Sequence, residues 1–198
     1  MDFADIIRRR RSVRAYSGRL PDPAVVDQLV DTARRAPTAG YSQGIDFLVV
    51  DNAALVANFW SLVSDPDDAD ERPHTDNPPM VVIVLSDPDR YIARYSDPDK
   101  IDFGLDNEEA WPVKFWDVDA GMAAMQLQLA AVNEGIDTWF FGVAHGEDEL
   151  RQLLSIPDTR KVIGVIALGY RADDEIRVGS ATTRARRPLS EQLHRNRW

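Results

Sequence analysis

The sequence predicts a mixed fold, α+β or α/β, built on one central sheet. Three observations carry that reading. Short apolar runs at 47–50, 80–85, 138–143 and 161–170 alternate with helical periodicity at 2–10, 23–36, 53–63, 115–133 and 148–154. The run Met80-Val81-Val82-Ile83-Val84-Leu85 is almost uninterrupted, as in a strand covered on both faces. The chain of 198 residues shows no internal repeat and no domain linker, so residues 1–198 are expected to fold as one domain.

Phe3, Ile6 and Ile7 sit at helical spacing in the first short helix. Asp22 and Pro23 read as N-cap and first-turn proline of the next, whose apolar face is Val25, Val26, Leu29, Val30 and Ala33. Pro37 ends it, and the loop Thr38-Ala39-Gly40-Tyr41-Ser42-Gln43-Gly44 follows. Residues 64–79 are rich in Asp and Pro and read as an exposed loop. Residues 86–112 form a long polar connection with room for short helices, the kind of segment that often serves as a lid or binding loop. The helix over 115–133 carries apolar or small residues nearly all round, which places it in the middle of the molecule or at a subunit interface. Gly135 suits its C-terminal cap. Ile156-Pro157 stops the helix over 148–154, and the strand over 161–170 completes the core. The tail over 171–198 is polar and basic, too long to belong to one core, and is expected to wrap around a partner subunit.

Composition removes several function classes. The sequence has no cysteine, hence no disulfide, thiolate metal site or cysteine nucleophile. His74, His145 and His194 lie far apart, with no metal-ligand spacing, so no metal is expected. There is no Gly-x-Ser-x-Gly elbow, Rossmann glycine fingerprint or phosphate-binding P-loop. No apolar run reaches the ~18 residues of a membrane span, and a net charge of −10 argues against nucleic acid. The N-terminus is charged rather than apolar, so the cytoplasm is the expected compartment.

The arginines are unevenly spread. Lys and Arg number 23 in the whole chain, yet five arginines fall in the first fourteen residues: Arg8, Arg9, Arg10, Arg11 and Arg14. A second cluster, Arg184, Arg186 and Arg187, lies near the other end. Two local basic clusters in an acidic protein suit a small anion, or are simply solvated surface charge.

Five short elements together carry a more specific signal. They are Arg10-Arg11-Ser12-Val13-Arg14, Ala36-Pro37-Thr38-Ala39-Gly40-Tyr41-Ser42-Gln43, Gly135-Ile136-Asp137-Thr138-Trp139, Ala167-Leu168-Gly169-Tyr170 and Arg184-Ala185-Arg186-Arg187-Pro188-Leu189. In order and rough spacing they resemble the signature elements of the nitroreductase family. The resemblance implies an α+β, three-layer α-β-α sandwich with a mostly antiparallel sheet and a C-terminal arm, 171–198, exchanged in a homodimer. It also implies FMN held without a covalent bond at the dimer interface. Arg10, Arg184 and Arg186 would hold the phosphate, and planar, always-charged guanidinium groups suit a dianion. Ser12 and Arg14 would support the phosphate and ribityl chain or the ring edge, and Arg11 would meet the pyrimidine side. Pro37, Thr38, Ala39 and Tyr41 would come from the other subunit and cover the ring. Phe141, Gly142 and Val143 would pass along it, with the Gly142 N–H aimed at N5.

The implied reaction is ping-pong hydride transfer from NAD(P)H to a small aromatic, quinone or nitro acceptor. The cofactor carries the chemistry and no acid–base side chain is obligatory. Tyr41, Trp111, Phe115 and Trp116 fall where the family places substrate-lining residues; the last three equally suit packing at the start of the central helix. Two departures stand out. Tyr41 replaces the family's usual Asn, and Gly44-Ile45 replaces its Pro-Trp. The loop is also similar to that of flavin-consuming enzymes that make dimethylbenzimidazole, and a related subgroup binds a deazaflavin. A non-catalytic flavin-storing relative, its site covered by the 86–116 connection, is the further reading.

Overall fold

The computed structural model describes residues 2–64, 80–177 and 179–198. The Asp- and Pro-rich stretch expected as a loop lies, apart from Ser64, outside the described residues. Helix α1 spans Phe3–Arg9, α2 Pro23–Ala33, α3 Ala53–Val63, α4 Pro88–Tyr95, α5 Phe115–Asn133 and α6 Glu147–Leu154. Strands β1 (Ile45–Val50), β2 (Met80–Ser86), β3 (Asp137–Phe141) and β4 (Lys161–Gly169) form one sheet in the order β1-β2-β4-β3, with every ladder antiparallel. The antiparallel ladders decide for α+β over α/β.

Side-chain alternation along the inner strands builds the three layers. Met80, Val82 and Val84 of β2, with Ile166 and Leu168 of β4, face Val26, Leu29 and Ala33 of α2 and Ala120, Ala124 and Leu127 of α5. Val81, Ile83, Leu85, Val165 and Ala167 face the opposite way, onto Val56 and Phe59 of α3 and Leu150 of α6. All seven residues of β2 are buried, because helices cover both of its faces.

The termini of these elements follow local chemistry. The Asp22 carboxylate accepts the Ala24 N–H at 2.9 Å and caps α2. The helix ends at Ala33, three residues short of the expected 36. Its last turn tightens through Arg35 N–H to Thr32 O and Ala36 N–H to Ala33 O, and Pro37 disfavours helix at the residue before it. Asn52 caps α3 through Ala54 N–H (3.0 Å) and Leu55 N–H (3.1 Å). The central helix α5 has the predicted limits, and Gly135 follows with the positive φ (73°) of a helix C-terminus. Strand β3 stops at Phe141, so Gly142 and Val143 leave the ladder. The 86–112 connection holds short helices, as its sequence leaves room for: α4 and a 3-10 turn, Ile101–Phe103.

Helix α5 lies against the sheet on its alanine face and leaves a second apolar strip outside. Phe115, Val118, Met122 and Met125 are each roughly two-fifths exposed. Beside the strip, α1 presents Phe3 and Ile7 to solvent. Together α1, α2 and α5 line a groove of about 710 Å³ whose floor includes Ile6, Leu29, Met122, Met125 and Leu129. From Gly179 to the C-terminus every residue is exposed, including Leu189, Leu193 and Trp198. No helix among the described residues is long and apolar enough to cross a membrane.

Candidate functional site

The first arginine cluster is fixed along the edge of the sheet. Ser12 forms an isolated parallel bridge with Thr138 of β3, and Val13 donates its N–H to Thr138 O at 3.0 Å. Val13 and Tyr16 point into the core, so the intervening Arg14 is turned outward. Tyr16 donates its hydroxyl to Val13 O (2.8 Å), with Ala167 O at 3.2 Å. Burial pushes the Tyr16 phenol well above its ordinary pKa, so it stays a neutral donor. The backbone then pairs with the segment after β4 through Ser17 N–H to Tyr170 O (2.8 Å) and Ala172 N–H to Ala15 O (3.1 Å).

The guanidinium groups of this cluster differ in their partners. Arg11 makes a two-point pair with Glu175, whose carboxylate is almost fully buried. The pair raises the Arg11 pKa and holds Glu175 below the usual carboxylate range. Arg11 is therefore committed to an internal anion, which is at odds with a free contact to the pyrimidine edge of a ring. Arg14 lies over the Trp139 ring at 4.8 Å. Gly179 approaches the Arg14 guanidinium, so the tail starts beside it. Among the described residues no carboxylate pairs with Arg10, Arg14, Arg184 or Arg186. Arg187 pairs with Glu191.

Further along the same edge lies Phe141. It stacks on Trp139 at 4.4 Å between centroids and on Trp60 at 5.4 Å. Gly142 follows, exposed, with open space where a side chain would stand. Thr138 and Gly142 are four residues apart, roughly 13 Å of extended chain.

The Pro37–Gln43 loop is built elsewhere. It leads into β1, the opposite edge strand, three strand spacings or roughly 14 Å across the sheet from β3. It also stands at the other end of the strands. Ile45 pairs with Ser86, whereas Thr138 pairs with Leu168, and Leu168 with Met80. One chain thus does not bring the loop and the arginine segment together. Within the loop, Gly40, Tyr41 and Gln43 have φ of 60°, 58° and 53°. That left-handed conformation costs a tyrosine about 1–2 kcal/mol, and Asn tolerates it better. The substitution of Tyr for the family's Asn thus carries a backbone cost. Tyr41 itself is 76% exposed.

The loop rests on α4 and α5. The Asp119 carboxylate, 1% exposed, accepts the Ala39 N–H at 2.8 Å and the Tyr91 hydroxyl at 2.9 Å. Burial raises the pKa of Asp119 and of Tyr91. Arg94 donates its Nε–H to Gly40 O at 2.9 Å. Gly44 explains the second departure from the family loop. A Cβ there would stand 2.6 Å from the Tyr91 ring and 2.8 Å from Asp87 O, so no larger residue fits.

The three aromatic residues at the start of α5 divide. Trp111 and Trp116 are buried and pack edge-on to Tyr91, with ring centroids at 6.1 and 6.0 Å. The Trp111 indole N–H goes to Leu105 O at 2.9 Å. Only Phe115 of the three is exposed to a ligand in this chain. Sequence reasoning missed Asp119, Tyr91, Arg94 and Glu175. Asp119 left a signal, as the one acid in the apolar stretch 118–133.

Known proteins share this architecture. Residues 7–170 match the family model described as Nitroreductase family. A protein of Archaeoglobus fulgidus, provisionally named an NADH dehydrogenase/NAD(P)H nitroreductase, is 26% identical over 98% of this chain and 97% of its own. An FMN reductase (NADPH) of Bacillus subtilis is 23% identical over 85% of this chain and 66% of its own. Among solved structures, a provisionally assigned nitroreductase of Exiguobacterium sibiricum, in complex with FMN, superposes with a TM-score of 0.77. It is 21% identical and covers 99% of this chain and 98% of its own. A nitroreductase family protein of Streptococcus pneumoniae gives a TM-score of 0.76 at 21% identity, covering 98% of this chain and all of its own. The same fold and a family match over residues 7–170, most of the chain, lead to one conclusion: this protein belongs to the nitroreductase family.

Proposed function

We propose that the protein is an FMN-dependent oxidoreductase, working as a homodimer, that moves hydride from NAD(P)H to a small aromatic, quinone or nitro acceptor by a ping-pong mechanism. The observation that carries this reading is the state of the arginines. Acidic residues outnumber basic ones 33 to 23, yet Arg10, Arg14, Arg184 and Arg186 have no carboxylate partner among the described residues. Unpaired guanidinium groups at both ends of the chain fit a dianionic phosphate.

The remaining residues fit the rest of the cofactor. The β3 edge runs from Ser12 beside Thr138 to the open Gly142, which suits a phosphate at one end and a flat ring at the other. When bound, the flavin supplies the two-electron chemistry, alternately accepting and returning hydride. The protein's part is to hold and cover it. Arg10, Ser12, Arg184 and Arg186 bind the phosphate, and Arg14 neutralises charge beside them. The Gly142 N–H faces the ring, flanked by Phe141 and Val143. Arg11 acts through Glu175, by fixing the segment that carries the other arginines.

A dimer supplies what one chain lacks. Pro37, Thr38, Ala39 and Tyr41 lie at the sheet edge opposite the arginines, so the partner's copy is the one that covers the ring. The apolar strip of α5 with the α1–α2–α5 groove is the surface to be buried, and the exposed tail, 171–198, is the arm that crosses over. Tyr41 and Phe115 then flank the entrance for the nicotinamide and the acceptor. Steady-state kinetics of the FMN-loaded protein tests the reading. Parallel double-reciprocal lines for NAD(P)H against a quinone or nitroaromatic acceptor are expected. Bound flavin that NADH and NADPH both leave oxidised would replace this reading with the storage one.

A further inference from the structure

We propose that Asp119, held by Tyr91, is the positioning residue of the loop that covers the cofactor; the inference rests on the flavin reading above. Its buried carboxylate fixes the Ala39 amide and so sets the face that residues 38–41 present to the partner's ring. Three observations lead there. A carboxylate at 1% exposure on the core side of an apolar helix is costly, and among the described residues no cation pairs with it. Its Oδ2 instead accepts two donors, the Ala39 N–H and the Tyr91 hydroxyl.

The loop needs such a constraint. Two of its non-glycine residues, Tyr41 and Gln43, sit in the left-handed region beside Gly40, and strained backbone persists only where its surroundings over-determine it. The local bonds Ser42 Oγ–H to Ala39 O (2.6 Å) and Gln43 N–H to Thr38 Oγ1 (3.0 Å) shape the turn but do not tie it to the core. Asp119 ties one side and Arg94, through Gly40 O, the other.

Tyr91 cannot give way. Its ring is fully buried, lies edge-on to Trp111 and Trp116, and fills the space that Gly44 leaves open. The aromatic cluster, Tyr91, Asp119 and the loop thus form one continuous chain of contacts. Trp111 and Trp116 act in it as scaffold beneath the loop.

The test compares wild type, Asp119→Ala, Asp119→Asn and Tyr91→Phe. Two readouts are used: amide hydrogen exchange at residues 38–43 in FMN-free protein, and FMN affinity with the spectrum of the bound flavin. Losing a hydrogen bond to a charged group should speed exchange and weaken FMN binding about tenfold in Asp119→Ala, and shift the flavin spectrum toward that of free FMN. Asp119→Asn keeps an oxygen for both donors and should restore all three. Tyr91→Phe should fall between, and serves alone if Asp119→Ala does not fold. FMN affinity and loop exchange unchanged in every variant that folds would overturn the inference and leave the flavin reading intact. A wild-type protein that takes up no FMN would overturn both.

Discussion

The guanidinium of Arg11 and the carboxylate of Glu175 meet at two points across 164 positions of sequence. The pair joins the segment that carries the first arginine cluster to the start of the C-terminal tail. Removing Glu175 leaves the Arg11 guanidinium, only 18% exposed, without its anion. Glu175→Ala should cost about 1–3 kcal/mol of stability, the range for losing a charged hydrogen-bond partner at a partly exposed site. The effect depends on pH in one direction. Arg11 depresses the folded-state pKa of Glu175, so the pair's stabilisation is present above the ordinary carboxylate value of 4.5 and is lost as pH falls through the lower folded value. Denaturant midpoints of wild type and Glu175→Gln should therefore differ at neutral pH and converge on acidification.

Asp119 has the opposite sign. Burial raises its folded-state pKa above the ordinary 3.8, so its ionised form opposes folding. Its penalty is absent below the ordinary value and sets in as pH rises through the folded one. Asp119→Asn should therefore gain stability relative to wild type as pH rises from acid to neutral, as read by thermal melting.

The unpaired arginines should behave as a phosphate cradle rather than as structure. Arg10→Ala and Arg186→Ala should each weaken FMN binding about tenfold or more while leaving the melting temperature of the FMN-free protein within about a degree or two. Added salt should weaken wild-type binding, since exposed charges are screened. Riboflavin, which lacks the phosphate, should bind both variants as it binds wild type.

Tyr41 should trade stability for selectivity. Asn tolerates its left-handed backbone better, so Tyr41→Asn should stabilise the protein by about 1 kcal/mol in denaturant unfolding. The same change removes the exposed phenol, so kcat/KM should shift between acceptors, bulkier aromatics gaining over small quinones.

The apolar strip of α5 should be a dimer surface. Met125→Asp places a charge in the middle of the strip and groove. Light scattering at micromolar concentration should show a dimer for wild type and a monomer for the variant. The monomer should also lose FMN, because its loop and its arginine segment stand at opposite edges of the sheet.

Most of the architecture was legible in the sequence. Unbroken apolar runs located β2 and β4, and a surface apolar or small nearly all round located α5, because burial on both sides leaves little room for other residues. Strand limits shifted where the ladder, not hydrophobicity, decides: Ile45 and Asp46 pair in β1 although Asp46 is polar, and Gly142 leaves β3 although its neighbours are apolar. The polar 86–112 connection had room for short helices, but the limits of α4 were not legible, since only Tyr91 of its eight residues is buried. Of the candidate site, the charge clusters and the turn signature were legible. Glu175 was not, because its pairing to Arg11 across the chain leaves no local pattern, and Asp119 showed only as the one acid in the apolar stretch 118–133, with nothing local to point to Ala39. Trp111 and Trp116 have the composition of a ligand-lining face, and their burial against Tyr91 is a tertiary contact that leaves no local pattern.

The most direct test of the central claim is an FMN titration of the purified protein, followed by anaerobic addition of NADH and NADPH. The account predicts saturable FMN uptake by a dimer, and visible flavin absorbance that bleaches on addition of reduced nicotinamide and returns with a quinone. A protein that stays colourless in excess FMN would contradict it.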